Sequence, residues 1–393
     1  MALAFLFFFQ MMAAGMWLVP LSHILNAHGL SAIAPYAYAT YAVSAFVSPL
    51  IFGAMADRHA SPVVLLRGLA LTSAVSVALT SWAIDRGSSA GVVLAFIQLY
   101  TITAVATSSI TSTIVFSQLR DAQRQFGPLR AMATAGWMVG CWLISALNVD
   151  DSPKAGYADA LVWCSVAAIT YLFPALPPPP SGPLTFRQRM GWDALALLKH
   201  HDHGVVFITV ALFSIPISAF YPFTPPHLQA LGLKHTSAWM SLGQITEIIA
   251  MFGLAGLLTN WRLKWILSMG LFFGIVRYAL CALNKKALLL TGITLHGFSF
   301  TLVFVTAQIY LNERIDTAWR ARAQALMSLM SGGAGNLIGY ISSGFWFQAC
   351  GGPHAPRWPI FWSGLAAVAA CVFIFFLLTY HGQGTGFRRK SGS

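Results

Sequence analysis

The chain has 393 residues, 57% hydrophobic and 9% charged, with a mean hydropathy of +0.68. Soluble domains carry about 25% charged residues, so this composition excludes a soluble fold and describes a polytopic membrane protein. The net charge of +12 is spread through short loops and not gathered in a patch, which argues against a nucleic-acid partner and assigns the bases to membrane topology.

The N-terminus runs directly into an apolar stretch that continues past Trp17. It has no basic leader and no small-residue cleavage site, so it is expected to stay as a first helix. A spanning helix takes about 20 mostly apolar residues. By that measure the chain offers twelve stretches: 2–25, 32–55, 63–84, 91–118, 130–149, 156–178, 205–228, 237–259, 262–283, 287–312, 318–348 and 358–380. The eleventh is long enough to need a bend or an end loop. Most of the five cysteines, Cys141, Cys164, Cys281, Cys350 and Cys371, fall in these apolar stretches without metal-ligand spacing, so they read as small core residues. No metal and no cofactor is expected.

Fifteen of the 23 Lys and Arg fall on one side of this layout. Six fall on the other: Arg86, Lys154, Lys234, Lys285, Lys286 and Arg357. Arg130 and Arg277 are left aside as candidates for the membrane interior. The richer side is expected to be cytoplasmic, with both termini inside. The longest connection opens with Pro177-Pro178-Pro179-Pro180-Ser181-Gly182-Pro183, a stiff extended spacer. It ends with Trp192-Asp193-Ala194-Leu195-Ala196-Leu197-Leu198-Lys199, expected as a short amphipathic helix on the inner membrane surface. The chain thus divides into a six-helix half over 1–178, a cytoplasmic linker over 179–204 and a second six-helix half over 205–393.

This all-α, 6+6 layout resembles the major facilitator superfamily, whose two halves rock about a site at mid-membrane depth. The loop Gly53-Ala54-Met55-Ala56-Asp57-Arg58 resembles that superfamily's G-x-x-x-D-R motif, in shortened form. The resemblance implies that Asp57 and Arg58 pair across helix ends and bias the inner gate.

Candidate site residues follow in chain order. In the first stretch Gln10 and Trp17 are seven apart and share a face. An amide and an indole there suit a ring-shaped polar solute; alternatively Gln10 bonds a neighbouring helix and Trp17 packs. In the fifth stretch Arg130, Thr134 and Trp137 form one stripe by their spacing. They line a cavity, unless Arg130 snorkels at the inner interface.

The seventh stretch carries Pro216, Pro222, Pro225 and Pro226, which predict a broken outer half. Tyr221 is the site residue chosen there, and His227 is expected in a solvated loop. In the eighth stretch Gln244 and Glu247 share a face. Glu247 is the one acid placed away from loops and segment ends; Asp159 is assigned with Asp85, Asp150 and Asp151 to the outer loops or their edges. A carboxylate at the centre of a spanning helix costs about 3 kcal/mol or more, so Glu247 is expected to carry the proton in coupling, or else to form a fixed ion pair with Arg277 or Arg130.

Arg277, in the ninth stretch, is expected to be a structural partner for polar groups of the eighth. The tenth offers Phe300 and Thr301, and the glycine-rich Ser331-Gly332-Gly333-Ala334-Gly335-Asn336 of the eleventh predicts close helix packing. There is no His/Asp/Glu cluster, HExxH or serine dyad within the membrane stretches, and no soluble output domain, which argues against an enzyme or a sensor.

At these residues the chain resembles the nucleoside:H+ symporter family. The likeness runs over the whole length. It rests on Gln10 with Gly15-Met16-Trp17-Leu18, and on Pro128-Leu129-Arg130 with Thr134 and Gly136. It continues through Asp193-Ala194-Leu195-Ala196-Leu197-Leu198-Lys199, Gln244-Ile245-Thr246-Glu247 and Arg277-Tyr278-Ala279-Leu280, and closes on Arg320-Ala321-Arg322-Ala323-Gln324.

The resemblance implies proton-driven nucleoside import by alternating access, by a monomer in a bacterial inner membrane, with the proton gradient as energy source. It implies that Arg130, Thr134, Trp137, Gln244 and Glu247 contact ribose or base. The chain departs from the family pattern at Thr301, where the family has an acid, and at Tyr221-Pro222, where it has amides. A symporter or facilitator for a sugar or other small polar solute is the competing expectation.

Overall fold

The computed structural model describes residues 1–53, 55, 61–118, 122–174 and 192–382. The Asp57-Arg58 pair and the proline spacer lie outside the described residues, and so does the side chain of Arg130. Every described element is helical. The segments are apolar on all sides, and in hydrocarbon a chain satisfies its backbone most simply by helix. Among the described residues nine helical stretches are long and apolar enough to cross a membrane, and each overlaps one of the predicted segments.

The chain forms two compact units, Met1–Arg189 with Tyr221–Ser241, and Met190–Phe220 with Leu242–Ser393. The first contains α1 (Ala2–Leu18), α2 (Leu21–Ala27), α3 (Ala34–Ser48), α4 (Pro62–Asp85), α5 (Ala90–Gln118), α6 (Ala122–Ala146) and α7 (Lys154–Ile169). After the eight-residue 3-10 helix Trp192–Lys199 come α8 (His201–Ser218), α9 (Phe220–Ala230) and α10 (Thr236–Met240). Then follow α11 (Leu242–Asn260), α12 (Leu263–Ala282), α13 (Lys286–Phe300), α14 (Thr306–Arg314), α15 (Thr317–Ser328), α16 (Asn336–Ala349) and α17 (Trp358–Thr379).

In the first unit α1 and α6 touch backbone to backbone. A Cβ on Gly15 would stand 2.5 Å from the Trp137 carbonyl oxygen, and one on Gly136 would meet the carbonyl of Phe8. Only glycine permits this approach, which sets Gln10 and Trp137 on neighbouring elements.

Departures from a plain helix have local causes. The seventh predicted stretch breaks at Ala219, between α8 and α9. The Pro216 carbonyl, near the end of α8, accepts the Tyr278 hydroxyl at 2.5 Å. Pro225 lies inside α9 and has no N–H for the Tyr221 carbonyl four residues back. The Ser22 hydroxyl donates to that carbonyl instead, at 3.3 Å, and the Tyr38 hydroxyl, whose proton goes to the Leu18 carbonyl at 2.8 Å, lies 3.4 Å away. The break thus falls before the last prolines, and α9 continues through Pro225 and Pro226.

The tenth and eleventh stretches pass through π-helical turns at Thr301–Val305 and Leu329–Gly335. The expected close packing is there too: a Cβ on Gly335 would stand 2.6 Å from the Ala211 carbonyl oxygen.

Two expectations are corrected. Asp159 is not at a loop edge: α7 begins at Lys154 behind Pro153, so Asp159 lies in its second turn and is fully buried. His227 is not a solvated loop residue: it lies within α9 and is buried.

Candidate functional site

In the first unit the Gln10 amide donates to the Thr107 hydroxyl of α5 at 2.7 Å, both groups buried. This is the helix-to-helix bond weighed as the plainer reading of Gln10. Trp17 is 0% exposed. Its ring lies edge-on to Tyr100, centroids 6.2 Å apart, and a Cβ on Gly156 of α7 would reach it at 2.7 Å. Packing therefore leaves no indole surface open to a solute in this conformation.

Thr134 is buried on α6, and Trp137, one turn on, is half-buried with an indole N–H that has no partner. The Trp137 ring faces Tyr221 of α9 at 5.8 Å, tilted by 53°. Thr134, Trp137 and Tyr221 thus supply a hydroxyl, an unused donor and two aromatic surfaces. Groups of that kind are able to stack on a planar ring and bond its edge.

The end of this unit is fastened by Asp150, 7% exposed. Its Oδ1 accepts the Ser237 backbone N–H at 2.7 Å and the Ser145 hydroxyl at 3.1 Å. The Ser145 hydroxyl oxygen in turn accepts the Ala238 N–H at 3.0 Å. These bonds satisfy orphan donors in the first turn of α10 from outside the helix.

The second unit holds the other candidates. Here α11 and α13 cross at Gly297, where a Cβ would collide with the backbone nitrogen of Glu247, the Gly243 carbonyl and the Thr246 hydroxyl. Thr246 seals the crossing by donating to the Thr294 carbonyl. Gln244 and Glu247 are buried, 5% and 9% exposed, and the Gln244 Oε1 has no partner. Phe300 is half-buried with its ring 5.0 Å from Phe304, and Thr301, at the start of the π turn, is buried with an unpartnered hydroxyl.

Arg277 is 1% exposed. Its described partner lies on α13 and not on α11 as expected: Nη1 pairs with Nδ1 of His296. A guanidinium only donates, so Nδ1 accepts and the ring proton sits on Nε2. Phe220 stacks on His296, centroids 4.0 Å apart, and Arg277 lies 4.6 Å over the Phe220 ring and 4.6 Å over the Tyr278 ring. The charge is held by one nitrogen acceptor and two π faces. His296 also touches the α11 side, its Cδ2 lying 3.3 Å from where a Gly243 Cβ would be. Sequence reasoning missed His296. The signal was available: an ionisable residue in the middle of the apolar run Leu288–Phe300.

A family model described as "Nucleoside H+ symporter" matches residues 1–383. Among similar proteins, "Putative nucleoside transporter YegT" of Escherichia coli (strain K12) is 30% identical, over 96% of this chain and 93% of that one. "Xanthosine permease" of the same organism is 22% identical, over 95% of each chain. The crystal structure of the nucleoside transporter NupG superposes with a TM-score of 0.84 at 20% identity, covering 97% of this chain and 98% of that one. An auto-inhibited POT family peptide transporter gives 0.75 at 14% identity, covering 99% and 98%. At these identities the structural likeness carries the fold alone.

Proposed function

We propose that this chain, which belongs to the nucleoside H+ symporter family, imports nucleosides together with protons by alternating access. It is a transporter and not an enzyme. The observation that carries the reading is the pairing of Gln244 and Glu247, both buried, at the Gly297 crossing of a chain matched by this family model from residue 1 to 383.

In this reading Glu247 takes a proton from the outer side and the nucleoside binds beside it. The residues assigned to the nucleoside are Thr134, Trp137, Tyr221, Gln244 and Phe300. Arg130 joins the same α6 stripe. Arg277 is a fixed charge that shapes the His296 side of the site. Both solutes then leave inward. Twelve spans in a bacterial inner membrane, both termini and the linker cytoplasmic, and a monomeric unit complete the reading. The charge asymmetry of the loops supports the orientation.

The test is uptake of labelled uridine and adenosine into proteoliposomes, wild type beside Glu247→Gln, at acid and neutral external pH. Wild-type uptake should rise with external acidity, and the isosteric variant should lose that response along with most accumulation. Wild-type uptake that ignores the pH gradient would leave a uniporter and remove symport.

A further inference from the structure

Among the described residues of the nine apolar stretches, two carboxyls are buried: Glu247 and Asp159. The transport reading uses only the first. Asp159 is 0% exposed and lies five residues beyond Lys154, about 8 Å along the helix from its start.

Its surroundings are polar but uncharged. The Tyr100 hydroxyl donates to Oδ2 at 3.2 Å, and the Trp163 indole N–H donates to the Tyr100 oxygen at 3.3 Å. The helices packed on α7 bring Trp17 from α1 and Ser81 from α4; both reach the place of a Gly156 Cβ, one turn before Asp159 on the same face. Among the described residues, the other titratable group acting on this cluster is Tyr41 of α3, which acts on Tyr100. Asp159 Oδ1, Trp17 Nε1 and Ser81 Oγ are buried without partners.

We propose that Asp159, with Tyr100 and Trp163, is a second proton-binding site, which loads and unloads during transport. The inference rests on the chain being a proton symporter. A carboxylate in hydrocarbon without a cation carries a desolvation cost of several kcal/mol, so the protonated form fits this pocket. The open Oδ1 is where that proton sits.

The charged form is supported as well. Tyr100 already donates to Oδ2, and the indole bonded to its oxygen polarises the hydroxyl and strengthens that donation. A group meant only to pack needs neither the acid nor the relay. A proton carrier needs both of its states within reach.

The experiment uses the full chain in proteoliposomes and reads protons moved per nucleoside, together with infrared difference spectra between acid and alkaline buffer. Asp159→Asn should still bind nucleoside, while its proton-to-nucleoside ratio falls about twofold, one of two carriers being gone. A carboxyl band that titrates in wild type should be missing from the variant. Tyr100→Phe, which removes the donor to Oδ2 and keeps the ring, should move that band's midpoint to higher pH. It serves as the second readout should Asp159→Asn fail to fold.

A wild type that couples protons, with an unchanged ratio in Asp159→Asn and no titrating band assigned to Asp159, overturns this inference alone. An unmoved midpoint in Tyr100→Phe overturns it too. A wild type that moves nucleoside without protons overturns symport, and this inference with it.

Discussion

Asp159 in the first unit and Arg277 in the second are buried alike, 0% and 1% exposed, and both sit among aromatic rings. Their partners differ in kind. A guanidinium cannot shed its charge by ordinary proton exchange, so the unit that buries Arg277 supplies a nitrogen acceptor at His296 and the faces of Phe220 and Tyr278. Asp159 can shed its charge by taking a proton. Its unit supplies one neutral hydroxyl and leaves Oδ1 open. A charge that cannot be removed must be solvated by the fold; one that can be removed is free to switch.

The largest effect should come from taking away the acceptor of the fixed charge. His296→Leu leaves the Arg277 Nη1 buried without its partner, which should cost about 3 kcal/mol or more. Little folded protein should then survive thermal unfolding in detergent. The matching change in the first unit, Tyr100→Phe, removes a single neutral donor and should cost about 1 kcal/mol. Equal losses would erase the distinction between a fixed and a switchable charge.

A second change sharpens how the Glu247 region is held. Gly297→Ala drives a methyl into the backbone nitrogen of Glu247, and overpacking of this kind costs about 1–3 kcal/mol. Uptake should fall along with melting temperature, because α11 and α13 must part. On the same α11, Gly253 has nothing within 4 Å of its would-be Cβ, so Gly253→Ala should be neutral or stabilising by up to about 1 kcal/mol. If both alanines behave alike, close approach does not position Glu247.

The membrane class, the nine long stretches and the interruption of the seventh were legible from the sequence, because apolar length and proline chemistry are local. The pair Gln244 and Glu247 was legible because an acid in an apolar run stands out. Asp159 was not, since it follows Asp150, Asp151 and Lys154 closely enough to read as the edge of the same loop. Only the helix start at Lys154 carries it inside.

His227 was misread because its prolines suggested a loop. The fold instead supplies the Ser22 hydroxyl to the carbonyl that Pro225 leaves without a donor. Trp17 was placed by spacing on the face of Gln10. Which neighbours that face meets depends on Gly156 and Tyr100, far along the chain.

A third carboxyl gives the mildest and most local test. Asp150 resembles neither buried site: it accepts a backbone N–H and a hydroxyl at once, at the start of a short helix. Those donors lie in the first turn of α10 and at Ser145, so the carboxylate acts as a helix cap supplied from elsewhere in the fold. Asp150→Ala should cost about 1 kcal/mol, which speeds hydrogen exchange at the Ser237 amide about fivefold. The Ala238 amide should change less, because the Ser145 hydroxyl still accepts it. If both amides quicken together, Asp150 holds the whole turn through Ser145; if neither does, the cap contributes nothing and α10 is held by packing alone.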